Sequence, residues 1–303
     1  MKRALIATLY NEADNVERWW EALKRQTVQP DEIVVVDGGS RDGTWEKLQE
    51  LARTSVVPVR LEQKRCNIAA GRNLAIRLTD AEIIAATDAG SFAEPEWFDE
   101  ITKPLLEDCN LDVVGGHSVH SGENGFQKFL LQLDAEPPAP VVADELSPSS
   151  RNTAYRRQAW IDVGGYPEWL TLTAEDSLFN FQLHRIGKRF IYNPRAVVTW
   201  PVRGTAQAYY KMLYNYGYGA AEARQDSSYF WRRTAIMVCP FLILFSRRWG
   251  CRHFLFRYRK NLSSARGWIV GWFAGHRLPV AWRRIRGGVL SPEAQACLRK
   301  PVA

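Results

Sequence analysis

The sequence predicts an α/β protein with a mostly parallel, mixed sheet and flanking helices, followed by a helical C-terminal region. Two observations predict the sheet. Strand-length runs alternate with helical patterns through the first half, and the runs are apolar throughout, as in strands covered on both faces. A third observation is the change near Tyr209 to helical patterns rich in Tyr, Trp and Arg. We therefore assign residues 1–205 to one domain and residues 206–303 to a basic, aromatic-rich region.

Four strand-and-helix pairs make up the first half. The strands are the runs "ALIATL", "EIVVVD", "VPVRLEQ" and "EIIAATD". Apolar residues at helical spacing mark the first two helices, namely Val16, Trp19, Trp20 and Leu23, then Trp45, Leu48 and Leu51. The four predicted helices cover residues 14–25, 44–53, 69–78 and 95–106. Strands that alternate with helices in this way pair in parallel.

The second half is less regular. The predicted elements are a strand over Leu111–Val119, a short helix over Phe126–Leu133, a Pro/Ser-rich loop over Asp134–Ser150, a helix over Ala174–Ile186 closed by Gly187, and the strands "RFIYNP" and "AVVTW". The order indicates a mixed sheet rather than a purely parallel one.

Composition excludes several classes of protein. A chain of 303 residues that is 46% hydrophobic buries a large core and is not disordered. Its five scattered cysteines form no C-x-x-C pair, which argues against a disulfide framework or zinc ribbon and favours a reducing, cytoplasmic location. The N-terminal apolar run, Ala4–Leu9, is too short for a signal peptide.

Charge is concentrated at the C-terminal end. Residues 246–303 hold thirteen Lys and Arg and one acid, Glu293, although the whole chain has a net charge of only +7. Four tryptophans accompany them: Trp249, Trp268, Trp272 and Trp282. This pattern favours contact with an anionic membrane surface, peripheral at the inner face of the cell membrane. A helical appendage packed on the domain, or an interface between copies in a homo-oligomer, stays open.

No span of a bilayer is predicted in this region. The apolar run Thr234–Phe245 has 12 residues, about 18 Å of helix at ~1.5 Å per residue, against a hydrocarbon core of about 30 Å. The run Gly267–Gly275 is shorter still. The basic charge alone would suit nucleic acid, but the sequence shows no module that binds it, so we do not expect a nucleic-acid partner.

Three polar clusters follow the predicted strands. They are Tyr10-Asn11-Glu12, Asp37-Gly38-Gly39 and Asp88-Ala89-Gly90. Ligands of open parallel sheets bind beyond the carboxyl ends of the strands. The sequence therefore predicts a binding site at this edge.

Asp37 and Arg72 each have two interpretations, and Asp88 suggests a metal site. Asp37 could accept hydrogen bonds from a base or ribose, or stabilise its own turn. Arg72, near the start of a predicted helix, could pair with phosphate or lie on a solvated helix face. Asp88 could bind a divalent cation that screens a diphosphate. Gly90 stands where a second acid would complete Asp-x-Asp, so the local ligand count is low.

The stretch "TAEDSLFNFQLHRIG" carries two further acids. Glu175 or Asp176 could serve as a general base at the mouth of a cleft. Alternatively, Thr173 and Asp176 fit a loose capping box, and acids suit the first turn of a helix. His117 and His120 are three residues apart, and in a strand they point to opposite faces, which argues against a metal pair.

An ordered set of motifs carries a resemblance to a known family. The motifs are "ATLYNEADNVERWWEALKRQT", "DEIVVVDGGSRDGTWEKL", "AAGRNLAI", "IAATDAGS", "RNTAYRRQAWIDVGGYPEW" and "TAEDSLFNFQLHRIGKRFIYNP". In this order and spacing they resemble the family 2 inverting glycosyltransferases with a GT-A fold, which is Rossmann-like. The resemblance covers residues 3–200.

The resemblance implies roles for seven residues and places an eighth, Glu175, in the catalytic acid pair. Thr8, Tyr10 and Glu12 match the first nucleotide-contacting loop, and Asp37 matches the acid that holds the base. Arg72 matches an arginine near the nucleotide. Asp88 matches the first acid of Asp-x-Asp, at the nucleotide and the metal shell. In the Glu175-Asp176 pair, Asp176 matches the catalytic base.

The reaction implied is hexosyl transfer with inversion from a nucleotide sugar, with UDP as the commonest donor nucleotide of the family. The acceptor implied is a carbohydrate or a lipid-linked hydroxyl, as in polysaccharide or glycolipid biosynthesis. Mg²⁺ or Mn²⁺ is expected, and because of Gly90 three modes stay open: the ion is held mainly by the diphosphate, is held through water, or binds weakly. Two alternatives are a non-catalytic, membrane-docked binder of nucleotide sugars and a nucleotidyltransferase, although "TLYNEADN" lacks the G-x-G-T-R loop of the latter.

Overall fold

One mixed sheet organises the molecule. The computed structural model describes residues 1–133, 146–223, 235, 238–239 and 254–274. The strands are β1 (Arg3–Leu9), β2 (Glu32–Asp37), β3 (Val59–Gln63), β4 (Ile83–Thr87), β5 (Phe92–Ala93), β6 (Val113–Ser121), β7 (Thr153–Arg156) and β8 (Phe190–Pro201). Among the described residues they form one sheet in the order β3-β2-β1-β4-β7-β6-β8-β5.

Nine helices are present in the described parts of the chain. They are α1 (Val16–Lys24), α2 (Thr44–Arg53), α3 (Ile68–Arg77), α4 (Trp97–Glu107), α5 (Gly125–Leu133), α6 (Arg157–Val163), α7 (Glu175–Arg185), α8 (Ala206–Glu222) and α9 (Phe254–Ala274). The first-half helices thus lie where the sequence predicts them, within three residues at each end.

The parallel half of the sheet is β3-β2-β1-β4, and β7 then pairs antiparallel with both β4 and β6. Side chains alternate between two cores. Leu5 and Ala7 of β1 face the core that holds the tryptophans of α1 and α4. Ala4 and Ile6 face the core formed by α3, α6 and α7. The prediction of a mixed sheet with both faces covered is therefore confirmed.

Strand β8 corrects one prediction. The sequence predicts two strands here, "RFIYNP" and "AVVTW". The structure has one strand of 12 residues. A register shift in its pairing with β6, where Gly116 opposes Asn193 but His117 opposes Val197, accommodates the extra residues.

The short strand β5 closes the far edge of the sheet. Its two residues pair antiparallel with Val198 and Thr199 of β8. The loop that carries Asp88 leads directly into β5. This loop is therefore held against the end of β8.

Helices α8 and α9 of the C-terminal region pack through glycines. A Cβ at Gly267 would lie 1.9 Å from the carbonyl oxygen of Tyr214, and one at Gly217 would lie 2.1 Å from that of Ser264. Only residues without a side chain permit this approach. Within the described parts of the chain, no helix combines the length and apolar character needed to cross a bilayer. The predicted loop at 134–150 and the apolar run at 234–245 lie largely outside the described residues.

Candidate active site

A cleft of about 1190 Å³ opens at the carboxyl ends of β1 and β4. All three predicted polar clusters contribute to its lining, through Tyr10 to Glu12, Gly38, and Asp88 to Gly90. Thr8, Arg72, Glu175 and Asp176 line it as well. The structure therefore brings together seven of the eight residues predicted for the site. The eighth, Asp37, lies beneath the surface.

Helix α3 approaches β1 closely, and this positions Arg72. A Cβ at Gly71 would lie 2.4 Å from the Cγ2 atom of Thr8, so only glycine allows the contact. The side chain of Asn67 caps the helix by accepting a hydrogen bond from the N–H of Ala70 at 2.9 Å. Arg72, which directly follows Gly71, is only 2% exposed. It therefore lies on the inner face of the helix, which corrects the alternative of a solvated arginine.

Arg72 links two carboxylates. Its Nη1 lies 2.6 Å from Oε1 of Glu175, and its Nη2 lies 2.9 Å from Oδ1 of Asp88. Burial alone would lower the pKa of Arg72, but the two carboxylates outweigh burial and raise the pKa of the guanidinium above its usual value. Burial also raises the pKa of Glu175, against the attraction of Arg72. We call Glu12, Arg72, Asp88 and Glu175 the Arg72 wall.

Glu175 and Asp176 occupy the first turn of α7. Ala174, which precedes them, has a φ of 75°, a left-handed conformation that turns the chain sharply into the helix. Oδ2 of Asp176 lies 3.3 Å from the backbone nitrogen of Ser150, and Oδ1 lies 2.8 Å from that of Ser177. Asp176 is partly exposed at the cleft. A rigid helix end thus presents its carboxylate to the cavity.

The capping-box interpretation is wrong. The residue at the N-cap position of α7 is Ala174, with no capping hydrogen bond from a side chain. The hydroxyl of Thr173 instead donates to the carbonyl oxygen of Asn215 in α8 at 2.8 Å. Thr173 therefore joins α8 to the site rather than starting α7.

The loop after β1 is fixed by the loop after β2. The N–H of Glu12 donates to the hydroxyl of Thr44 at 2.8 Å, and the N–H of Asn11 donates to that of Ser40 at 2.8 Å. Burial raises the pKa of Glu12, opposed by a hydrogen bond from Asn15, and the nearby charge of Asp88 raises it further. Glu12 is therefore placed near Asp88.

Tyr10 and Thr8 flank this loop differently. Tyr10 is 61% exposed, so its ring is available to a ligand. The hydroxyl of Thr8 is buried, and it has no hydrogen-bond partner among the described residues. Both face the part of the cleft that the sequence assigns to a nucleotide.

Asp37 is fully buried at the end of β2. Its carboxylate accepts hydrogen bonds from the hydroxyl and N–H of Ser40, and from Nε2 of Gln63 at 2.7 Å. It thus stabilises its own turn, as one of the two sequence interpretations holds. Contact with a base stays a prediction.

Asp88 supplies one oxygen donor of the type that Mg²⁺ or Mn²⁺ prefers. Such ions often take one or two protein carboxylates and fill their remaining positions with phosphate and water. A Cβ at Gly90 would meet nothing within 4 Å, so the space for further ligands is present. Among the described residues no group of three His, Cys, Asp or Glu is arranged to hold a metal. The donor set therefore fits a cation held mainly by a diphosphate.

A second part of the cleft lining is basic and aromatic, and the sequence analysis assigned it no role. We call Ser118, His120, Ser149, Arg151 and Trp200 the Arg151 wall; all five residues line the cleft. Cζ of Arg151 lies 4.0 Å from the centroid of the Trp200 ring. The His120 ring meets the Trp200 ring edge-on at 5.2 Å. His117 belongs elsewhere, because its Nδ1 lies 2.6 Å from the Tyr192 hydroxyl.

Arg203 was missed as well. It follows β8, is exposed and lines the cleft, and its charge acts to lower the pKa of Glu12. The sequence signal for these residues is weak. Arg151 opens the quoted motif "RNTAYRR", but Trp200, its partner, is 49 positions further along the chain.

The site thus combines acids at the strand ends of a mixed α/β sheet with an acidic helix end in the same cleft. The model of the family "Glycosyl transferase family 2" matches residues 5–165, more than half of the chain. The chain belongs to this family.

Comparison with a curated relative agrees with this assignment. The O-antigen chain rhamnosyltransferase RfbN of Salmonella typhimurium is 26% identical over 209 residues, 65% of this chain and 66% of the relative. The chain spans between 41% and 66% of the length of the first three curated relatives.

Solved structures share the fold. The mannosyltransferase PcManGT from Pyrobaculum calidifontis, in complex with GDP-Man and Mn²⁺, superimposes with a TM-score of 0.56 at 21% identity, covering 98% of this chain and 84% of that chain. S. aureus TarS 1-349, in complex with UDP, gives a TM-score of 0.52 at 17% identity, covering 91% and 92%. The predicted GT-A fold is confirmed.

Proposed function

We propose that the protein is an inverting glycosyltransferase that moves a sugar from a nucleotide sugar to an acceptor hydroxyl, with Asp176 as the general base. The observation that carries the proposal is the position of Asp176. Its carboxylate stands at the end of α7 in the same cleft as the strand-end cluster, one residue from the Arg72 wall. Family membership and the GT-A fold support the same reaction class.

Asp176 suits the role of base better than Glu175. Glu175 is 7% exposed, and one of its oxygens is already bound to the buried Arg72. Asp176 is partly exposed, and two backbone N–H groups orient its carboxylate. We therefore assign proton transfer to Asp176 and the orientation of Arg72 to Glu175.

The chemistry needs a single base. Asp176 takes the proton of the acceptor hydroxyl while that oxygen attacks the anomeric carbon from the face opposite the nucleotide. The bond between the anomeric carbon and the diphosphate oxygen breaks, and the nucleoside diphosphate leaves. Thr8, Tyr10, Glu12 and Asp37 would hold the nucleotide. UDP is the proposed nucleotide only because it is the commonest donor nucleotide of the family.

Arg203 and Asp88 lie where the leaving diphosphate would be neutralised. Arg203 adds a cation near Glu12, on the side of the cleft where Asp88 and Gly90 lie. A divalent cation on Asp88 would screen the developing negative charge of the leaving group. A structural neighbour was solved with Mn²⁺ and GDP-Man, which supports such an ion for this fold.

The acceptor and the cellular site are proposed on coarser grounds. RfbN acts, by its name, on O-antigen chains, which supports a carbohydrate or lipid-linked acceptor in polysaccharide or glycolipid synthesis. The basic, aromatic C-terminal region would then place the protein at the cytoplasmic face of a membrane. The test is binding to anionic liposomes, and a protein that ignores them contradicts this part.

Asp176→Asn tests the base. We expect turnover to fall by at least ~10², the usual contribution of a general base, with nucleotide affinity unchanged. Turnover would be followed as nucleoside diphosphate released from a panel of UDP-, GDP- and dTDP-sugars with Mn²⁺, and affinity by thermal shift. Asp162→Asn is the matched control, since Asp162 is a partly exposed acid paired with Lys188 and not part of the cleft lining.

Two outcomes contradict the proposal. Unchanged turnover in the Asp176 variant would rule out its role as base. Binding of nucleotide sugars without release of nucleotide by the natural chain, with every acceptor tried, would favour the non-catalytic binder, the alternative that Gly90 suggests.

A further inference from the structure

Arg151 has no charged partner among the residues that the structure describes. No ion pair within 4.0 Å and no hydrogen bond to its side chain is formed among the described residues, and its Nε atom is buried. An arginine keeps its charge at every physiological pH. The side chain is partly buried, and a partly desolvated cation without a charged partner is suited to an anionic ligand.

The Trp200 ring fixes the direction of the guanidinium. With Cζ 4.0 Å from the ring centroid, one face of the guanidinium is covered by the indole, and Trp200 is itself supported by His120. Stacking restrains the planar group and leaves its edge for hydrogen bonds. The edge of a guanidinium matches two oxygens of a phosphate.

The surrounding side chains are donors. Ser118, Ser149 and His120 line the cleft around Arg151 and Trp200. Hydroxyl and imidazole groups both donate to phosphate oxygens. The Arg151 wall thus contains a cation and three further polar groups and no carboxylate, in contrast to the Arg72 wall.

The position of Arg151 indicates which reactant it meets. Arg151 directly follows Ser150, whose N–H contacts the carboxylate of Asp176 at 3.3 Å. A general base must touch the acceptor hydroxyl, so residues beside it lie on the acceptor side. The proposed nucleotide residues lie instead on β1, β2 and α3 and in the loops that follow β1 and β4.

We infer that Arg151, stacked on Trp200, is the centre of a phosphate-binding subsite for the acceptor, so that the acceptor carries a phosphate group near the hydroxyl that is glycosylated. This inference rests on the proposed function in one respect, because only that function makes the bound molecule an acceptor. The subsite itself depends only on the geometry of the Arg151 wall.

The test uses inorganic phosphate as the probe on the full chain saturated with UDP. Saturation fills the nucleotide part of the cleft, so that added phosphate reports on what remains. The indole N–H signal of Trp200, assigned with Trp200→Phe, would be followed by NMR at constant ionic strength. We expect a saturable shift in the natural chain, and binding weaker by about tenfold or more in Arg151→Gln, from the loss of a charge-assisted pair.

Two variants control this result. Arg53→Gln removes the same charge from an exposed position at the end of α2 and should bind phosphate like the natural chain. Arg151→Lys keeps the charge without the planar fork and should give intermediate affinity. It also serves if Arg151→Gln unfolds, which circular dichroism would show.

The outcomes separate the inference from the proposed function. Equal phosphate affinity in Arg151→Gln and the natural chain overturns the subsite. Phosphate that binds the free protein but is excluded by UDP assigns Arg151 to the donor diphosphate and overturns the acceptor role. Failure of any nucleotide to bind overturns the proposed function alone, and Arg151-dependent phosphate binding by the free protein then still supports the subsite.

Discussion

The two walls of the cleft differ in how their charges are paired. In the Arg72 wall a buried guanidinium has a carboxylate on each side, at 2.6 and 2.9 Å. In the Arg151 wall the guanidinium has an aromatic ring as its only partner in the described parts of the chain. Paired buried charges hold a structure in place, whereas an unpaired one is available to a ligand. The same residue type therefore serves architecture on one side and recognition on the other.

Arg72→Gln should destabilise the Arg72 wall. Removing one partner of a buried ion pair leaves uncompensated carboxylates and typically costs about 3–5 kcal/mol of stability. Urea unfolding at pH 7 would measure it. Arg151→Gln should cost no more than about 1 kcal/mol, since only a cation–π contact is lost. Similar losses in the two variants would remove the distinction between the walls.

Arg195→Gln is the control for this comparison. Arg195 also pairs with a glutamate, Glu100, at 3.1 Å, but its side chain is 75% exposed. Exposed pairs contribute between about 0 and 1 kcal/mol. Adding Glu175→Gln to Arg72→Gln should recover part of the loss, because it removes a carboxylate left without a partner.

Gly90→Asp should add the second acid of Asp-x-Asp to the Arg72 wall. A Cβ there meets nothing within 4 Å and the φ angle of Gly90 is not left-handed, so the fold should be kept. A second carboxylate raises the charge of the ligand set, and we expect Mn²⁺ to bind about tenfold more tightly in the presence of UDP. Gly90→Asn, of equal size without charge, is the control; calorimetry showing equal Mn²⁺ affinity in both would refute the expectation.

Glu12→Gln should give the smallest change, seen in the pH dependence of stability. Burial raises the pKa of Glu12, so the folded state keeps this proton to higher pH than the unfolded chain. Ionisation of Glu12 therefore lowers the free energy of unfolding as pH rises above the ordinary glutamate pKa of 4.5. The variant lacks this loss and should gain stability relative to the natural chain between pH 4 and pH 7.

Urea unfolding across this pH range measures the difference. Glu62→Gln, at an exposed position of β3, is the control. A stability difference for Glu12→Gln that stays constant with pH would show that its carboxylate does not oppose folding.

Local pattern predicted the Arg72 wall well. Helix α2 has the bounds Thr44–Arg53 that the spacing of its apolar residues gives, and the three strand-end clusters meet as parallel strands require. Periodicity and strand order act over short distances in sequence. Both signals are therefore readable from residues that are neighbours or one strand apart.

The Arg151 wall could not be predicted in the same way. Its chemistry arises from the contact of Arg151 with Trp200, and no spacing rule links positions that far apart. The capping role predicted for Thr173 was wrong for a similar reason. Its hydroxyl donates to a carbonyl oxygen of α8 rather than capping its own helix. The prediction of two strands in place of β8 was wrong, because a register shift against β6 lets one strand run through this segment.

The two-residue strand β5 has a consequence for the binding of the two substrates. It ties the segment that bears Asp88 to Val198 and Thr199, immediately before Trp200. A donor that displaces Asp88 would move the strand pair that ends beside Trp200, the ring next to Arg151. Because such coupling is reciprocal, we expect each substrate to change the affinity of the cleft for the other by the same factor.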